Sequence, residues 1–262
     1  MRVKICGITR PEDAELACDL NAWAIGLNLW PGSSRRIHPG EAAEIAARFR
    51  RRTQIVGVFV NPSMREVTNA VEELNLAMVQ LHGEEGPVFC REVSRRTGIK
   101  VIKALSVRSG ADVQAAEAYR TDFHLFDAYS PKRGGSGESF DWHLARLRRS
   151  KVPTILAGGL TPENIAEAIA EAEPYAVDVA SGVENDRPGF KSEAKMREFF
   201  DRANVAGAEI ERPDAVQPDE DREVITHGRS TFERRAERGM LLDGESRDSS
   251  EPVVRPGRGK PR

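Results

Sequence analysis

Little in this chain could build a disulfide framework or a zinc ribbon. Three cysteines, Cys6, Cys18 and Cys90, occur in 262 residues. Their number is odd, they lie far apart, and none pairs in a CxxC, which argues against both. A reducing cytoplasm is the compartment that this usage predicts. Charge excess is lacking too. The 39 Lys and Arg nearly cancel the 41 Asp and Glu, leaving a formal net charge of -2. Bulk charge therefore points to neither nucleic acid nor a membrane surface as a partner. No run approaches the roughly 18 apolar residues of a membrane span. With Arg2 and Lys4 at its start, the chain shows no secretory apolar segment.

What is present is a repeat of short apolar runs rich in Val, Ile and Leu. The runs are VKICGI from Val3, WAIGLNLW from Trp23, IVGVFV from Ile55, MVQLHG from Met78, VIKALSV from Val101, FHLFDAY from Phe123, PTILAGGL from Pro153 and AVDVASGVE from Ala176. They are nearly continuous rather than alternating, as parallel strands buried on both faces are. Amphipathic stretches lie between them, among them PEDAELACDL after Arg10, PGEAAEIAARFR after His38 and PSMREVTNAVEEL after Asn61. Proline follows a polar residue in Thr9–Pro11, Asn61–Pro62 and Thr161–Pro162. That is the pattern of a capped first helical turn, where no N–H is needed.

Eight such units in about 200 residues predict an α/β fold of the (β/α)8 TIM barrel type. An open doubly wound sheet is the alternative, but the first turn, CGITRP, is not its glycine-rich dinucleotide fingerprint. The repeat stops near Val205. Residues 205–262 mix charge, Pro, Gly and Ser, with Phe232 their only aromatic. So little apolar area does not offset the entropy of ordering. The expected organisation is a barrel over residues 1–204 and a disordered charged tail over 205–262, ending in the basic RPGRGKPR.

In such a barrel the reacting groups stand at the C-terminal ends of the strands. Cys6 ends the first run, either as a small core filler or as a group at the mouth of a site. Asp127, in HLFDAYSP, is costly to bury unless it is paired or exposed at a strand end. It reads as an acid or base, or as a loop-capping carboxylate. Asp178, in AVDVASG, calls for a cationic partner, which could lie across the barrel. Arg35, in WPGSSRRIHP, offers a guanidinium fork that matches a carboxylate or phosphate. His82, in VQLHGEE, falls at a strand end, where a structural hydrogen bond competes with proton transfer. Asn28 also falls at a strand end. Cys18 and Cys90 lie in helical patterns and read as core.

The loops after the seventh and eighth strands often hold a phosphate in these barrels. Here they carry Gly158–Gly159, in AGGLTPEN, and Ser181–Gly182, in ASGVEN. Glycine lets backbone N–H groups approach an anion, and a following helix N-terminus favours its charge. A third glycine-rich stretch, RGGSGESFDW from Arg133, reads as a lid or a connector.

Taken in order, KICGITRPEDA, GLNLWPGSSRRI, VGVFVN, VQLHGEE, VIKA, FDAYSPKRGGSGESFDW, LAGGLTPEN and AVDVASGVE resemble the phosphoribosylanthranilate isomerase family of tryptophan biosynthesis. The resemblance covers residues 1–204. It implies a (β/α)8 barrel that performs an Amadori rearrangement of N-(5-phosphoribosyl)anthranilate, with no metal and no organic cofactor. It implies Cys6 as general base, Asp127 as general acid, and Arg35 as the grip on the anthranilate carboxylate. His82 and Asp178 fall among its substrate-binding positions, and Gly158, Gly159, Ser181 and Gly182 on its phosphate loops. It implies a small phosphorylated molecule as partner, neither nucleic acid nor membrane, and a monomer or homodimer. Two departures are Ala180, where the family commonly has serine, and Arg36, beside the carboxylate-binding position.

Three rival readings stand beside this one. A histidine-pathway aldose-ketose isomerase employs two aspartates, whereas Cys6 stands in place of the first. A pentose-phosphate epimerase needs a metal with paired His and Asp ligands, and His82 has no obvious partners. A phosphate-binding module without catalysis is the third, and Cys6 together with Asp127 speaks against it.

Overall fold

The computed structural model describes residues 1–128 and 141–210. Eight parallel strands close into a barrel in chain order: β1 Arg2–Cys6, β2 Ala24–Asn28, β3 Gln54–Phe59, β4 Met78–Leu81, β5 Lys100–Val107, β6 Phe123–Ala128, β7 Thr154–Leu156 and β8 Ala176–Val179. Each falls on one of the eight apolar runs. Around them lie α1 Pro11–Asp19, α2 Pro39–Phe49, α3 Met64–Leu74, α4 Pro87–Thr97, α5 Gly110–Ala115, α6 Ile165–Ala172 and α7 Glu193–Ile210. Among the described residues, a 3-10 segment, Trp142–Leu147, is what stands between β6 and β7. By internal contacts the chain separates into units Met1–Ala215 and Val216–Arg262. The second unit, and residues 133–140 of the third glycine-rich stretch, lie outside the described residues.

Proline opens α1, α2 and α4 at the first turn, where its missing N–H costs nothing. All three expected polar caps are placed differently. At α1 the cap position is Arg10, with no side-chain bond, and Thr9 Oγ1 donates instead to the Gly189 carbonyl at 2.6 Å. Asn61 is not a cap: it takes φ 48°, and its Oδ1 accepts from the Glu84 N–H at 2.7 Å. The cap of α3 is Ser63, whose Oγ accepts from the Glu66 N–H while the Glu66 carboxylate accepts from the Ser63 N–H. This reciprocal box satisfies two donors that proline could not. At α6 the helix starts three residues beyond Pro162, with Asn164 at the cap position and its Oδ1 accepting from the Thr161 N–H at 2.8 Å. The last helix continues through Val205 to Ile210. It buries Ala203, Ala206 and Gly207 on its inner side, with the Gly207 backbone close against Met1. Small residues at helical spacing pack this turn without the large apolar side chains whose absence marked the expected boundary.

Side chains alternate along each strand between the helix layer and the barrel interior. One apolar cluster fills the space between strands and helices, and a second, drawn mainly from strand positions such as Val56, Met78, Ile102 and Leu125, fills the interior. At the N-terminal ends of the strands, Trp23, Phe123 and Tyr175 pack edge-on or tilted, with ring centroids 5.5 to 6.0 Å apart. They form an aromatic floor. Above it the inward-facing series turn polar: Met78, Gln80, His82 along β4 and beyond it; Phe123, Leu125, Asp127 along β6; Ala176, Asp178 on β8; Lys4, Cys6 on β1. The fold thus gathers its buried polar groups at the C-terminal mouth, as the barrel architecture requires of a site.

Candidate active site

A cavity of about 580 Å³ occupies that mouth. Of the nine residues expected from the sequence, Cys6, Arg35, His82, Asp127, Asp178, Gly158, Gly159 and Ser181 line it. Gly182 does not. It packs beneath the neighbouring loop, where a Cβ would stand 1.9 Å from the Leu160 carbonyl oxygen. Gly182 therefore locks the loop after β8 against the loop after β7. Asn28 lines the cavity as well, with its Oδ1 accepting from the Trp30 N–H at 3.2 Å.

Cys6 is half-buried at the end of β1, and its register partner on β2 is Gly26. A Cβ at Gly26 would come within 2.9 Å of the sulfur and 3.2 Å of Lys4 Nζ. The absence of a side chain there is what lets thiol and amine share the space. Lys4 is fully buried and donates to Asp178 Oδ1 at 2.8 Å. The cation that Asp178 called for is thus not across the barrel. Lys4 and Asp178 are register partners on the adjacent strands β1 and β8. Burial pulls the Lys4 ammonium down, but Asp178 and Cys6 more than restore it, so Lys4 stays charged.

The thiol shows the opposite balance. Burial pushes Cys6 above its ordinary value, Lys4 and Lys191 pull it back, Asp178 adds to the rise, and the net shift is upward. A depressed pKa, which would suit a thiolate base, is not what these neighbours provide. Thiol alkylation reads this directly, because only the thiolate attacks. A raised pKa means more alkaline conditions before the reactive form appears. The rate of iodoacetamide addition to Cys6, followed by mass spectrometry, is expected to reach half-maximum above the roughly 8.5 of a free cysteine. A midpoint near 7 would overturn the burial argument.

Arg35, from the loop after β2, meets Glu184, from the loop after β8. Arg35 Nε donates to Glu184 Oε1 and Nη2 to Oε2, each at 2.8 Å. Glu184 also accepts from the Gly189 N–H at 2.9 Å and from Lys191 Nζ at 3.1 Å. Burial raises the Glu184 carboxyl, but Arg35 and Lys191 outweigh it and hold it below the usual range. The side edge of the guanidinium is therefore taken by protein. Its end edge, with Nη1 and the second N–H of Nη2, is what a ligand carboxylate would meet.

His82 follows β4 and reaches across β5 to β6, its Nε2 standing 3.2 Å from Asp127 Oδ2. The inward residue of the intervening strand, Ala104, is small enough not to separate them. His82 Nδ1 faces Gln80 Nε2 at 3.0 Å. The loop carrying His82 is pinned by Lys103, whose buried Nζ donates to the Leu81 and Gly83 carbonyls and to Glu85 Oε2. Glu85 in turn accepts from the Asn61 and Gly83 N–H groups.

The glycine pair after β7 takes φ of 86° at Gly158 and 64° at Gly159, a region that other residues enter at a cost. A Cβ at Gly158 would stand 2.3 Å from the Ala128 nitrogen and 2.9 Å from Asp127 Oδ1. This turn therefore presses directly on the shoulder of Asp127. Asn164 ties it down by donating from Nδ2 to the Gly159 carbonyl at 2.9 Å. The other two cysteines are buried away from the cavity, and burial pushes the Cys90 thiol up to about 11. Among the described residues, no group of three or more His, Cys, Asp and Glu is placed to share a metal ion, and no helix is long and apolar enough to cross a membrane.

Four contributors escaped the sequence reading: Lys4, Gln80, Glu184 and Lys191. Lys4 and Gln80 carried a signal, a polar residue inside an otherwise apolar strand run, which is costly to bury without a purpose. Lys191 carried none.

Comparison with known proteins identifies the family. A family model described as N-(5'phosphoribosyl)anthranilate (PRA) isomerase matches residues 3–202. The N-(5'-phosphoribosyl)anthranilate isomerase of Geobacter metallireducens is 46% identical over 206 residues, spanning 78% of this chain and 100% of its own. A phosphoribosyl anthranilate isomerase structure from Thermus thermophilus superposes with a TM-score of 0.72 at 43% identity, covering 78% of this chain and 99% of its own. Another phosphoribosyl anthranilate isomerase, solved in complex with reduced 1-(o-carboxyphenylamino)-1-deoxyribulose 5-phosphate, superposes with a TM-score of 0.69 at 37% identity, covering 78% and 99%. A 3–202 match and relatives of this similarity over nearly their whole length place the chain in the N-(5'-phosphoribosyl)anthranilate isomerase family.

Proposed function

We propose that the chain isomerises N-(5-phosphoribosyl)anthranilate to 1-(2-carboxyphenylamino)-1-deoxyribulose 5-phosphate, with Cys6 as general base and Asp127 as general acid. The observation that carries this reading is that the thiol and the carboxyl line one cavity together with the glycine loops and Arg35. Asp127 delivers a proton to the ribose ring oxygen, the ring opens, and a protonated imine forms at C1. That charge acidifies the C2 proton, which Cys6 removes as thiolate to give an enolamine. Tautomerisation to the ketone completes the reaction. Cys6 accepts a proton and forms no covalent bond to substrate. Lys4, held by Asp178, offers positive charge that favours the thiolate form of Cys6 before it takes the proton.

The phosphate is assigned to the Gly158–Gly159 turn and to Ser181 in the loop after β8, with Gly182 bracing that loop from beneath, and the anthranilate carboxylate to the end edge of Arg35. His82 and Asp178 are assigned to the sugar end of the cavity. Binding both extremities holds C1 and C2 between acid and base. The three cysteines are free, which supports a cytoplasmic enzyme. A fluorescence assay that follows consumption of freshly prepared phosphoribosylanthranilate tests the reaction itself, and absence of turnover would remove it.

Arg35→Ala is expected to raise KM about tenfold or more with a smaller change in kcat, because a contact equal in ground and transition states acts on KM. Glu184→Gln keeps Arg35 but weakens its anchor, and is expected to raise KM less. An unchanged KM for Arg35→Ala would place the carboxylate elsewhere.

A further inference from the structure

The catalytic cavity has two unlike sides. Towards β7 and β8 its lining is the small-residue loops, whereas towards β2 and β3 it is Trp30, Val58 and Val60. Among the described residues that line the cavity, Trp30 alone is a Phe, Tyr or Trp. The reaction as assigned gives this half-buried indole no task.

Trp30 is held in a fixed place. Its N–H donates to Asn28 Oδ1 at 3.2 Å. Its carbonyl accepts from the Ser33 N–H at 3.1 Å, which closes a turn over Pro31 and Gly32. A Cβ at Gly32 would stand 2.5 Å from Trp30 Cζ2, so the indole lies down on its own turn in space that glycine leaves open. Ser33 Oγ then accepts from the Arg35 N–H at 3.1 Å, and the Ile37 N–H returns to the Asn28 carbonyl at 3.1 Å. The loop is closed on itself, and it brings an indole and a guanidinium to the same cavity.

We infer that Trp30 is a specificity-determining residue, whose indole is the wall against which the aromatic ring of the substrate lies while Arg35, in the same closed loop, takes the ring's carboxylate. This deepens the reading of the substrate as an arylamine sugar phosphate and rests on it. An aryl ring with a carboxylate on the adjacent carbon is apolar on its faces and charged at one edge. A guanidinium reads the edge and leaves the faces in water. A flat apolar surface removes a face from water, and aromatic pairs gain beyond the area they bury. The glycine loops grip the sugar phosphate, which other sugar phosphates share. The loop after β2 is then where this substrate is told from them.

The test measures inhibition constants of three ligands on the full chain. Ribulose 5-phosphate has no ring, 1-phenylamino-1-deoxyribulose 5-phosphate has the ring without the carboxylate, and the reaction product has both. Where ribulose 5-phosphate binds too weakly to measure, inorganic phosphate is the ring-free probe. Trp30→Ala is expected to weaken the two ring-bearing ligands by a similar factor, roughly tenfold or more, and to leave the ring-free ligand within about twofold. KM for the substrate should rise in step, with kcat changed by about threefold at most. Trp30→Phe, which keeps a flat ring, should recover most of the lost affinity. Should Trp30→Ala not fold, Trp30→Leu makes the same comparison. Equal weakening of all three ligands would give Trp30 a merely structural role and overturn the inference. Weakening of the product alone would mean that Trp30 acts only by holding Arg35, and would overturn it too, as would no change in any ligand. A wild-type enzyme that neither binds the product nor turns over the substrate would instead overturn the reading of the substrate on which this rests.

Discussion

Cys6→Ala lowers kcat by about two orders of magnitude or more, which corresponds to about 2.7 kcal/mol in the barrier. This is the expected result if sulfur takes the C2 proton. The carbon acid in the imine has no other acceptor at the end of β1. Lys4, the nearest titratable neighbour, stays charged through its bond to Asp178, and an ammonium cannot take a proton. Water in its place would lack the positioning that makes an intramolecular base effective. Cys6→Ser is expected to be nearly as slow, because a hydroxyl in the same position ionises far less readily than a thiol. Both variants should bind product with little change and give an unaltered circular dichroism spectrum, since the side chain is half-buried and small. Turnover within threefold of the wild type in Cys6→Ala would remove the thiol from the mechanism and return it to the role of core filler.

Asp127→Asn is expected to cost kcat a comparable two orders of magnitude or more. Asparagine keeps the size and planarity of the carboxyl and can still meet His82 Nε2, which stands 3.2 Å away. It also fits beside Gly158, whose missing Cβ leaves the space around Asp127 Oδ1. What it loses is a transferable proton, so the ring oxygen must leave unprotonated. The loss should therefore fall on kcat and spare KM. Asp127→Ala, which also removes the His82 contact, is expected to be no faster. Near-normal turnover in a sample whose substitution is verified by mass spectrometry would assign the acid to another group, with His82 the next to examine.

The strands were readable because each is buried on both faces and appears as an unbroken apolar run. The mouth of the barrel was readable because its residues stand at run ends beside glycine. Contacts across the closure were not. Lys4 and Asp178 are 174 positions apart, and Arg35 and Glu184 are 149 apart. Nothing in a linear pattern says which of several charges near a strand end will face one another. Asp178 announced that it needed a cation, yet only the register of β1 on β8 makes Lys4 the one. The rise in the Cys6 pKa was illegible for a related reason. It is a balance of burial against two lysines from opposite ends of the chain, and burial is a property of the closed barrel. Asn61 and Thr161 misled because a polar residue before proline reads the same whether it caps a helix or braces a loop.

The β1–β8 pairing has a bearing on biosynthesis. The thiol precedes Asp178, Glu184 and Lys191 by most of the barrel's sequence. A nascent polypeptide stalled before residue 176 displays its sulfur at an unpaired edge, with Lys4 lacking its counter-charge and Arg35 its anchor. The Lys4–Asp178 pair therefore forms only once β8 has been made and has closed on β1.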